Sequence, residues 1–576
     1  MVTAGTTVPW GAASLSQALK QGQGERSRPH GSTVCDHEAM RRLVAALIVT
    51  IGVSYVTVIG DADRTERFGP VDHIGARELR HHLEYIASDA LEGRDALSPG
   101  FLAAADYVGA QLREAGVEPA GDNRTYFQDV GIRRTTVDAA KASVALGDAR
   151  FSHGADYLAP APGKASGGLV YVGHGWRVPS KNLDPFQGLD VKGKWMVILP
   201  GSPEELTPAD LARMVADVDF VQPEANARKT GAIGIVKLPS SYDVNHWDRD
   251  KAREITRGDL VVDRLTPPED RIPQITAGAK MIKEMFRGEP EDGDKMTGRA
   301  ARRDPGASFA LDADKVLAVD VPTTVRVEHT KNVVGMIEGT DPALKNEYVA
   351  LGAHLDHLGR TTDAKRKGGD DINNGADDDG SGVVALVTMA EAVAKGPRPK
   401  RSLLFVWHTG EEYGSWGAQY FVAYPPVPLD HIVAQLNVDM IGRSRYPGTS
   451  VPGDGQLTGP TEVYLVGSRR LSRELGDTCV SVNDAYLHLK FNYKYDAADD
   501  PEKIYTRSDH YEYAQKGIPV AFFFSGLHGD YHRPSDEVSR IDFSKLQRVT
   551  RTVLATAWTL ANAPGRPRLD GPAQTH

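Results

Sequence analysis

Apolar residues recur every three or four positions over residues 74–118, and this spacing predicts two helices. The segments "ARELRHHLEYIASDALEG" and "GFLAAADYVGAQLREAGVEP" carry the pattern, and glycine, the usual helix stop, lies at or near the end of each. The polar stretch "GRDALSPG" between them predicts a loop. Residues 63–155 are therefore expected to form the N-terminal part of a larger domain.

The pattern changes over residues 156–300, where short β-rich runs are bounded by glycine and proline. "GLVYVGHGW", "KGKWMVILPG" and "TGAIGIVKLP" are such runs, and long polar stretches separate them. The polar segment "PEDGDKMTGRAARRDPG" at the end of this region predicts a surface linker. The region shows no cluster of His, Asp and Glu at the spacing of metal ligands. We interpret it as an inserted β-rich module.

Strands alternate with helices over residues 301–563. Two long helical patterns are "GSGVVALVTMAEAVAKG" and "DFSKLQRVTRTVLATAWTLANA". Apolar strand patterns occur at "KVLAVDV", "NVVGMIEG", "EYVALGAH", "SLLFVWHT", "IVAQLNVDM" and "IPVAFFFSG". This alternation predicts an α/β fold, with a sheet covered by helices on both faces. The polar tail, residues 564–576, is predicted to be disordered.

The first sixty residues have a different character. Residues 1–39 show no sustained periodicity, whereas Met40 is followed by Arg41, Arg42 and a largely apolar run over residues 43–59. A charged start, an apolar middle and a small or polar end are typical of an export signal. We expect translation to begin at Met40, residues 1–39 to be a misassigned extension, and residues 40–62 to be a signal peptide or short anchor. The alternative is a buried strand or helix.

Composition limits the range of partners. The chain has 576 residues, of which 40% are hydrophobic and 25% charged, and its net charge of −10 is mild for this size. No basic tract indicates nucleic acid as a partner, and a membrane is expected only through an uncleaved N-terminal segment. Cys35 and Cys479 are the two cysteines, too few for a disulfide framework or a cysteine-based zinc site. The protein is expected to act outside the cytoplasm, in the periplasm or beyond it.

Imidazole and carboxylate side chains collect where the predicted strands end, which is where ligands gather in open α/β sheets. The segments are "EYVALGAHLDHLG", "NNGADDDGSG", "SLLFVWHTGEEYGS", "IVAQLNVDMIG" and "IPVAFFFSGLHGDYHRPSD". Each alone has an ordinary explanation, because acidic residues cap helices and adjacent glutamates form solvated turns. Five at successive strand ends favour a metal site. Imidazole with carboxylate suits zinc, or cobalt or manganese.

The number of these side chains bears on the number of ions. One catalytic zinc takes three protein ligands, and two histidines with three or four carboxylates exceed that. They suffice for two metal ions that share a bridging carboxylate, about 3.5–4 Å apart. The sequence therefore predicts a dinuclear site.

The same segments, with "YTRSDH" and "DYHRPSD", resemble in order the zinc-dependent exopeptidases of the bacterial double-zinc aminopeptidase family. The resemblance covers roughly residues 70–563. It implies a three-layer αβα sandwich with a mixed, mostly parallel sheet, and two zinc ions per chain. Residues 156–300 resemble a protease-associated domain, on "DPFQGLDVKGKWMVIL" and "ARKTGAIGIV".

When the metal-ligand pattern of the family is transferred to the matching positions of this sequence, the resemblance implies five ligands. His354 falls on a ligand of one metal, and Asp378 falls on the bridging position. Glu412 and Asp439 match the terminal carboxylates, one on each metal. His532 matches the remaining imidazole, beside Glu412.

Further roles follow from the same resemblance. Asp356 corresponds to the carboxylate that orients His354. Glu411 corresponds to the general base, which takes the proton of the attacking water and later delivers it to the leaving amine. Tyr505 falls where the family has a tyrosine that hydrogen-bonds the oxyanion. The Asp378–Asp379 peptide bond is expected to be cis.

The resemblance implies a metalloexopeptidase that acts on peptides, and an aminopeptidase is the favoured form. A carboxypeptidase or dipeptidase on the same metal core is the first alternative, although no basic residue for a substrate carboxylate can be placed from the sequence. A glutaminyl cyclase uses one zinc and lacks the complete ligand set, whereas every position is filled here. A receptor-like binding protein without metals is the alternative from a different class.

Overall fold

The computed structural model describes residues 65–211, 214–267, 271–361, 369–448, 451–497 and 499–570. The expected misassigned extension, residues 1–39, and the expected signal or anchor, residues 40–62, lie outside these ranges. Among the described residues, no helix has both the length and the apolar character needed to span a membrane.

The helices predicted by the periodicity are present. The N-terminal pair and the two long helices of the second half are Ala76–Ile86, Pro99–Ala115, Gly380–Ala394 and Phe543–Asn562. Further α-helices are Pro208–Leu211, Pro223–Thr230, Ser241–Asn245, Trp247–Thr256, Ala279–Met285, Gly293–Arg302, Trp416–Ala423, Arg473–Ala485 and His510–Gln515. Ser98 caps the Pro99–Ala115 helix by accepting the N–H of Phe101 at 3.1 Å, and proline occupies its first position.

One large sheet organises the molecule, and ten strands of the described chain form it. Nine of these strands follow one another in the order Asp259–Val262, Phe127–Val137, Thr323–Ile337, Ser402–His408, Tyr348–His354, Ile432–Val438, Val520–Phe524, Glu462–Val466 and Lys490–Asn492. The short strand Glu118–Pro119 pairs with Thr323–Ile337. The four central strands, from Ser402–His408 to Val520–Phe524, are parallel, whereas most of the flanking pairs are antiparallel.

Both faces of the four central strands are buried, as a sheet between two helical layers requires. Val349 and Leu351 pack into the cluster that contains the long helices Gly380–Ala394 and Phe543–Asn562. Ala350, which points to the opposite face, packs with residues of the other helical layer. The predicted three-layer αβα sandwich is confirmed.

The inserted module is larger than predicted. Its six-stranded sheet has the order Phe309–Ala310, Leu169–Tyr171, Trp195–Ile198, Gly234–Lys237, Gln274–Ala277 and Tyr157–Ala161. Its four-stranded sheet has the order Ala149–Phe151, Ser143–Leu146, Leu317–Asp320 and Lys164–Gly167. The strands of both sheets come from residues 143–320, which we call the inserted module, rather than from 156–300. One buried cluster, which includes Trp195 and Leu317, joins the two sheets.

The structure differs from three assignments made from the sequence. Leu317–Asp320, within "KVLAVDV", pairs inside the inserted module and not in the large sheet. The segment predicted as a linker contains the helix Gly293–Arg302, whose Met296 is buried in the module's core. The described part of the predicted disordered tail is held to the Arg473–Ala485 helix, because Arg568 donates to Glu474.

The inserted module is joined to the large sheet by backbone pairing. Its strand Asp259–Val262 pairs antiparallel with Phe127–Val137 at the edge of the large sheet. Phe127–Val137 in turn pairs with Thr323–Ile337, the strand that returns from the module. The module is therefore attached to the large-sheet domain through a shared sheet.

Candidate metal centre

The candidate ligands meet at one edge of the parallel part of the large sheet. His354 is the last residue of its strand, Glu412 lies four residues after the end of the next strand, and Asp439 directly follows Ile432–Val438. Parallel strands end at the same edge, so these side chains are brought together across the sheet. Asp378 comes from the turn before the Gly380–Ala394 helix.

Two groups of side chains share Asp378. In the first group, His354 Nε2 lies 3.3 Å from Asp378 Oδ1 and 3.8 Å from Asp439 Oδ2. These three residues offer ligand atoms within 4.8 Å of one another, and all three are buried. Three ligands from imidazole and carboxylate are the usual number for a catalytic zinc.

The second group lies on the other side of Asp378. His532 Nε2 is 3.2 Å from Asp378 Oδ2 and 3.1 Å from Glu412 Oε2. His357, which the sequence left without a role, places Nδ1 only 2.7 Å from Glu412 Oε1. His357, Asp378 and Glu412 also offer ligand atoms within 4.8 Å of one another. The two carboxylate oxygens of Asp378 therefore point to different groups.

The donor set fits a metal ion. Asp378 Oδ2 is buried and makes no hydrogen bond of good geometry among the described residues, although His532 Nε2 lies 3.2 Å away. Buried carboxylates need a partner, and a cation shared with neighbouring imidazoles supplies one. Neutral imidazole with carboxylate oxygens is a donor set that suits zinc.

The electrostatics of the groups also favour a cation. Burial acts to raise the pKa of Asp378, but the surrounding histidines hold it well below its usual value. Burial and the nearby Asp378 act to raise the pKa of Glu412, yet hydrogen bonds with His357 and His532 lower it to about 2. Burial acts to lower the pKa of His532, but its carboxylate contacts raise it to about 10. His532 therefore holds a proton opposite these carboxylates, and a bound metal ion would take the place of that proton.

Glu411 is placed for acid–base chemistry rather than for ion pairing. Burial raises the pKa of Glu411 well above its usual value; His354 opposes the shift and Glu412 adds to it. The main-chain N–H of Glu411 donates to Asp356 Oδ1 at 3.1 Å. A carboxyl group with a raised pKa is suited to exchange a proton near neutral pH.

Asp356 supports the centre in a different way from the one expected. Its main-chain oxygen is 3.1 Å from His354 Nδ1, whereas its carboxylate Oδ1 is 3.9 Å from that nitrogen. The carboxylate instead accepts the main-chain N–H groups of Glu411 and Glu412, at 3.1 and 3.4 Å. Asp356 therefore orients His354 mainly through its backbone and fixes the turn of the two glutamates through its side chain.

The three consecutive aspartates have separate tasks. Asp379 caps the Gly380–Ala394 helix, since its Oδ1 accepts the N–H of Gly382 at 2.9 Å. Asp377 Oδ1 accepts the N–H of Gly442 at 2.6 Å. The helix-capping explanation thus holds for Asp379, whereas Asp378 points into the centre. The predicted cis peptide bond between Asp378 and Asp379 is confirmed.

Arg94 is a buried support that the sequence did not reveal. Its guanidinium donates to the main-chain oxygens of Leu355 at 3.0 Å, Asn374 at 2.6 Å and Gly375 at 3.1 Å. These bonds join the loop after His354 to the loop before Asp378. Asp536 completes the support, because its Oδ2 accepts the N–H of Asp378 at 3.1 Å.

The structure does not bring Tyr505 to the centre, which corrects the role expected for it. Its ring packs in an apolar cluster, and the Arg470 guanidinium lies 3.8 Å from the ring centroid. Tyr531 is the tyrosine beside the centre. It stacks on His532 with ring centroids 3.7 Å apart, and its hydroxyl accepts a hydrogen bond from Arg507 at 3.2 Å. Burial, and then Asp378 and Glu412, raise the pKa of Tyr531.

Three further residues from the sequence segments that carry the motifs have defined contacts near the centre. His528 Nε2 is 3.4 Å from Asp377 Oδ2, and Asp530 Oδ2 is 3.0 Å from Arg443 Nη2. Ser508 has a direct contact with a candidate ligand, since its hydroxyl donates to Asp439 Oδ2 at 2.8 Å and accepts from Asn437 at 3.0 Å.

A cleft of about 2010 Å³ leads to the centre, and Glu412 and His532 are part of its wall. The large-sheet domain and the inserted module both line it, and the aromatic residues among its walls are Trp176, Tyr242, Trp247, Tyr413 and Trp416. Arg257 connects the two sides, because it pairs with Asp95 at 3.0 Å and lies over the ring of Tyr413 at 4.3 Å. The centre is therefore reached between two walls.

Buried imidazole and carboxylate side chains lie at the carboxyl ends of parallel strands, beside Glu411 and a cleft, and together they form a candidate metal site. Residues 332–557 match the family model described as peptidase family M28. The family recognised from the motifs is thereby confirmed over this part of the chain.

Individual proteins similar to this chain are also aminopeptidases by name. The chain is 29% identical over 210 residues to the probable leucine aminopeptidase 2 of Aspergillus fumigatus, and this match covers 36% of this chain and 35% of that protein. It is 25% identical over 304 residues to leucine aminopeptidase 2 of Trichophyton rubrum, and this match covers 46% of this chain and 55% of that protein. The chain thus spans about a third to a half of the length of these curated relatives.

Among solved structures, an aminopeptidase from Aneurinibacillus sp. strain AM-1 is similar, with a TM-score of 0.49 and 17% identity; the match covers 88% of this chain and 98% of that one. A zinc aminopeptidase from Bacillus subtilis has a TM-score of 0.42 and 16% identity over 84% of this chain and 94% of that one.

Proposed function

We propose that this protein is a zinc-dependent aminopeptidase with a dinuclear centre. One observation carries the proposal: Asp378 lies between two groups of ligands and offers one oxygen to each. His354 and Asp439 would hold one ion, and Glu412 and His532 the other. The family match and the names of the similar proteins support the same activity. Cobalt or manganese are possible substitutes for zinc.

The placement of the side chains indicates a separate role for the metal ions, for Glu411 and for Asp356. Zinc ions, when bound by these side chains, would supply Lewis-acid polarisation of the scissile carbonyl and would activate the attacking water. Glu411 accepts the proton of that water and passes it to the departing amine, a task for which its raised pKa suits it. Asp356 keeps Glu411 in place through the main-chain bond at 3.1 Å.

The contacts of the cleft favour an aminopeptidase over a carboxypeptidase. A carboxypeptidase needs a basic side chain to hold the carboxylate of its substrate. Each of the five basic side chains that line the cleft in the described structure is paired with a carboxylate: Arg257 with Asp95, Arg360 with Glu92, Arg134 with Glu328, Lys237 with Asp243 and Arg249 with Asp250. The complete ligand set and the presence of Glu411 argue against a glutaminyl cyclase and against a metal-free receptor.

We also propose that the inserted module is a protease-associated domain. Its two sheets share a core of their own, and it forms one wall of the cleft that ends at Glu412. A wall at this place narrows the approach, so the centre receives the end of a peptide more readily than the middle of a folded chain. None of the candidate ligands comes from the module.

A substrate panel tests the proposed function. We expect the purified protein to hydrolyse aminoacyl-anilides and peptides with a free amino terminus, and to leave N-blocked peptides intact. Chelation should abolish the activity, and added zinc should restore it, because the ligands belong to a sheet that packs independently of the metal. Cleavage of N-blocked peptides at their carboxyl end would indicate a carboxypeptidase, and bound zinc with no hydrolysis at all would indicate a binding protein.

Tyr531 is expected to stabilise the negative charge that develops on the scissile carbonyl oxygen. Replacing Tyr531 by phenylalanine keeps the ring stacked on His532 and removes the hydroxyl. Loss of one such donor typically costs about 10²–10³-fold in kcat. Steady-state kinetics on an aminoacyl-anilide measure the effect. Tyr505→Phe is the matched control and should leave kcat near the wild-type value; a larger loss at Tyr505 than at Tyr531 would reverse the assignment.

A further inference from the structure

His357 is held rigidly against the candidate metal centre. It follows Asp356, its side chain is fully buried, and its main-chain N–H donates to the Arg94 oxygen at 3.0 Å. The imidazole packs against Gly375, where an added Cβ would lie 2.5 Å from the ring and 2.2 Å from the main-chain oxygen of Asp378. Gly375 also has a φ of +55°, a conformation that glycine adopts readily. The ring is therefore closely packed, and its Nδ1 faces Glu412.

The distances indicate what His357 does there. Glu412 divides its two oxygens: Oε1 is 2.7 Å from His357 Nδ1, and Oε2 is 3.1 Å from His532 Nε2. Ligand atoms at about 2.0–2.2 Å from one tetrahedral zinc lie roughly 3.3–3.5 Å apart. A separation of 2.7 Å is too short for two ligands of that kind and is normal for an N–H···O⁻ hydrogen bond.

We propose that His357 is a positioning residue of the centre. Its Nδ1–H donates to Glu412 Oε1 and leaves Oε2 directed at the metal position that Glu412 shares with His532 and Asp378. The inference rests on the proposed function, because it assigns Glu412 as a ligand. Two consecutive residues then position one ligand of each group: Asp356 orients His354 through its main-chain oxygen, and His357 orients Glu412.

Zinc titration of metal-depleted variants tests this role without using activity. His357→Leu removes the donor at similar volume, and His357→Asn returns an amide donor near the position of Nδ1. Loss of such an orienting bond typically weakens metal binding by about 10–100-fold. We expect His357→Leu to show this loss for one of two zinc ions and wild-type affinity for the other. His357→Asn should regain most of the lost affinity.

A control substitution separates positioning from general damage. His82 is buried too, but it contacts Tyr107 and Glu391. His82→Leu should therefore leave both zinc affinities unchanged, even if thermal unfolding shows a loss of stability. If His357→Leu does not fold, His357→Gln serves as the variant without the bond to Glu412. The glutamine side chain is longer than that of asparagine and carries its amide past the position of Nδ1, so zinc affinity should stay low in this variant.

Three results would overturn the inference. Unchanged affinities in folded His357→Leu would show that the bond does not orient Glu412, and equal loss of both ions would show a general effect. X-ray absorption spectra of the zinc-loaded proteins count the imidazole ligands. One imidazole fewer in His357→Asn than in the wild type would show that His357 is a direct ligand. A wild-type protein that binds fewer than two zinc ions would instead contradict the proposed dinuclear function, so the two failures are distinguishable.

Discussion

Replacing Glu411 by glutamine is expected to lower kcat by about 10²–10⁴-fold while KM changes little. Glutamine keeps the shape of the side chain but cannot accept the proton of the attacking water. The main-chain bond to Asp356 does not involve the substituted group, so the turn should stay in place. Metal content should remain near the wild-type value, since Glu411 is not one of the assigned ligands. Steady-state kinetics with zinc analysis of the same samples measure both quantities.

Glu412→Gln is the matched comparison, because it makes the same chemical change at the adjacent residue. It should weaken one metal ion and lose activity through the absence of that ion, so excess zinc should restore part of the rate. Excess zinc should not help Glu411→Gln. If Glu411→Gln loses zinc while Glu412→Gln keeps it, the two roles are exchanged. If neither substitution affects turnover, the proposed enzymatic function is wrong.

Replacing Asp378 by alanine is expected to have the other large effect, a loss of both metal ions and of all metal-dependent hydrolysis. Asp378 offers one oxygen to each group, at 3.3 Å from His354 Nε2 and 3.2 Å from His532 Nε2. Removing it leaves each group with one ligand fewer and leaves the histidines without their shared anion. Zinc per chain after dialysis against a weak chelator measures the loss.

Asp439→Ala is the matched control for the Asp378 substitution. Asp439 contacts His354 at 3.8 Å and belongs to the first group alone. We expect this variant to lose one ion and keep the other. Loss of both ions from Asp439→Ala, or of one ion from Asp378→Ala, would contradict the shared position of Asp378.

Three candidate ligands, His354, Glu412 and Asp439, end or closely follow strongly patterned strands, so their common location could be predicted from the sequence. The individual ligand roles, including those of Asp378 and His532, came from the family resemblance. Tyr348–His354, Ser402–His408 and Ile432–Val438 are nearly continuous apolar runs, as buried parallel strands are. Once the strands are parallel, their last residues must meet at one edge. Residue type and strand position together therefore indicate the centre before any coordinate is known.

The roles of His357 and Tyr531 could not be predicted in this way. Each is the neighbour of a recognised residue, and its contact depends on the direction of a side chain across two loops. The ring of His357 reaches Glu412 because Gly375, eighteen positions further on, leaves room for it. The motif "HLDH" carries a second histidine as a signal, but spacing alone does not say which partner that histidine meets.

The limits of the inserted module escaped prediction for a related reason. Leu317–Asp320 has the same alternating pattern as a strand of the large sheet, but it pairs with strands more than a hundred residues earlier. Four of the ten residues of the helix Gly293–Arg302 are charged, and Met296 and Ala300 are the apolar side chains it buries. Local patterns identify elements, whereas the choice of partner is set by packing.

Anomalous diffraction from crystals of the zinc-loaded protein, recorded on both sides of the zinc absorption edge, tests most directly whether Asp378 bridges two ions. We expect two zinc peaks in each chain, about 3.5–4 Å apart. One peak should lie beside His354 and Asp439, the other beside Glu412 and His532, with one oxygen of Asp378 directed at each. A single peak in fully active crystals, or two peaks with Asp378 bound to only one of them, would contradict the dinuclear centre.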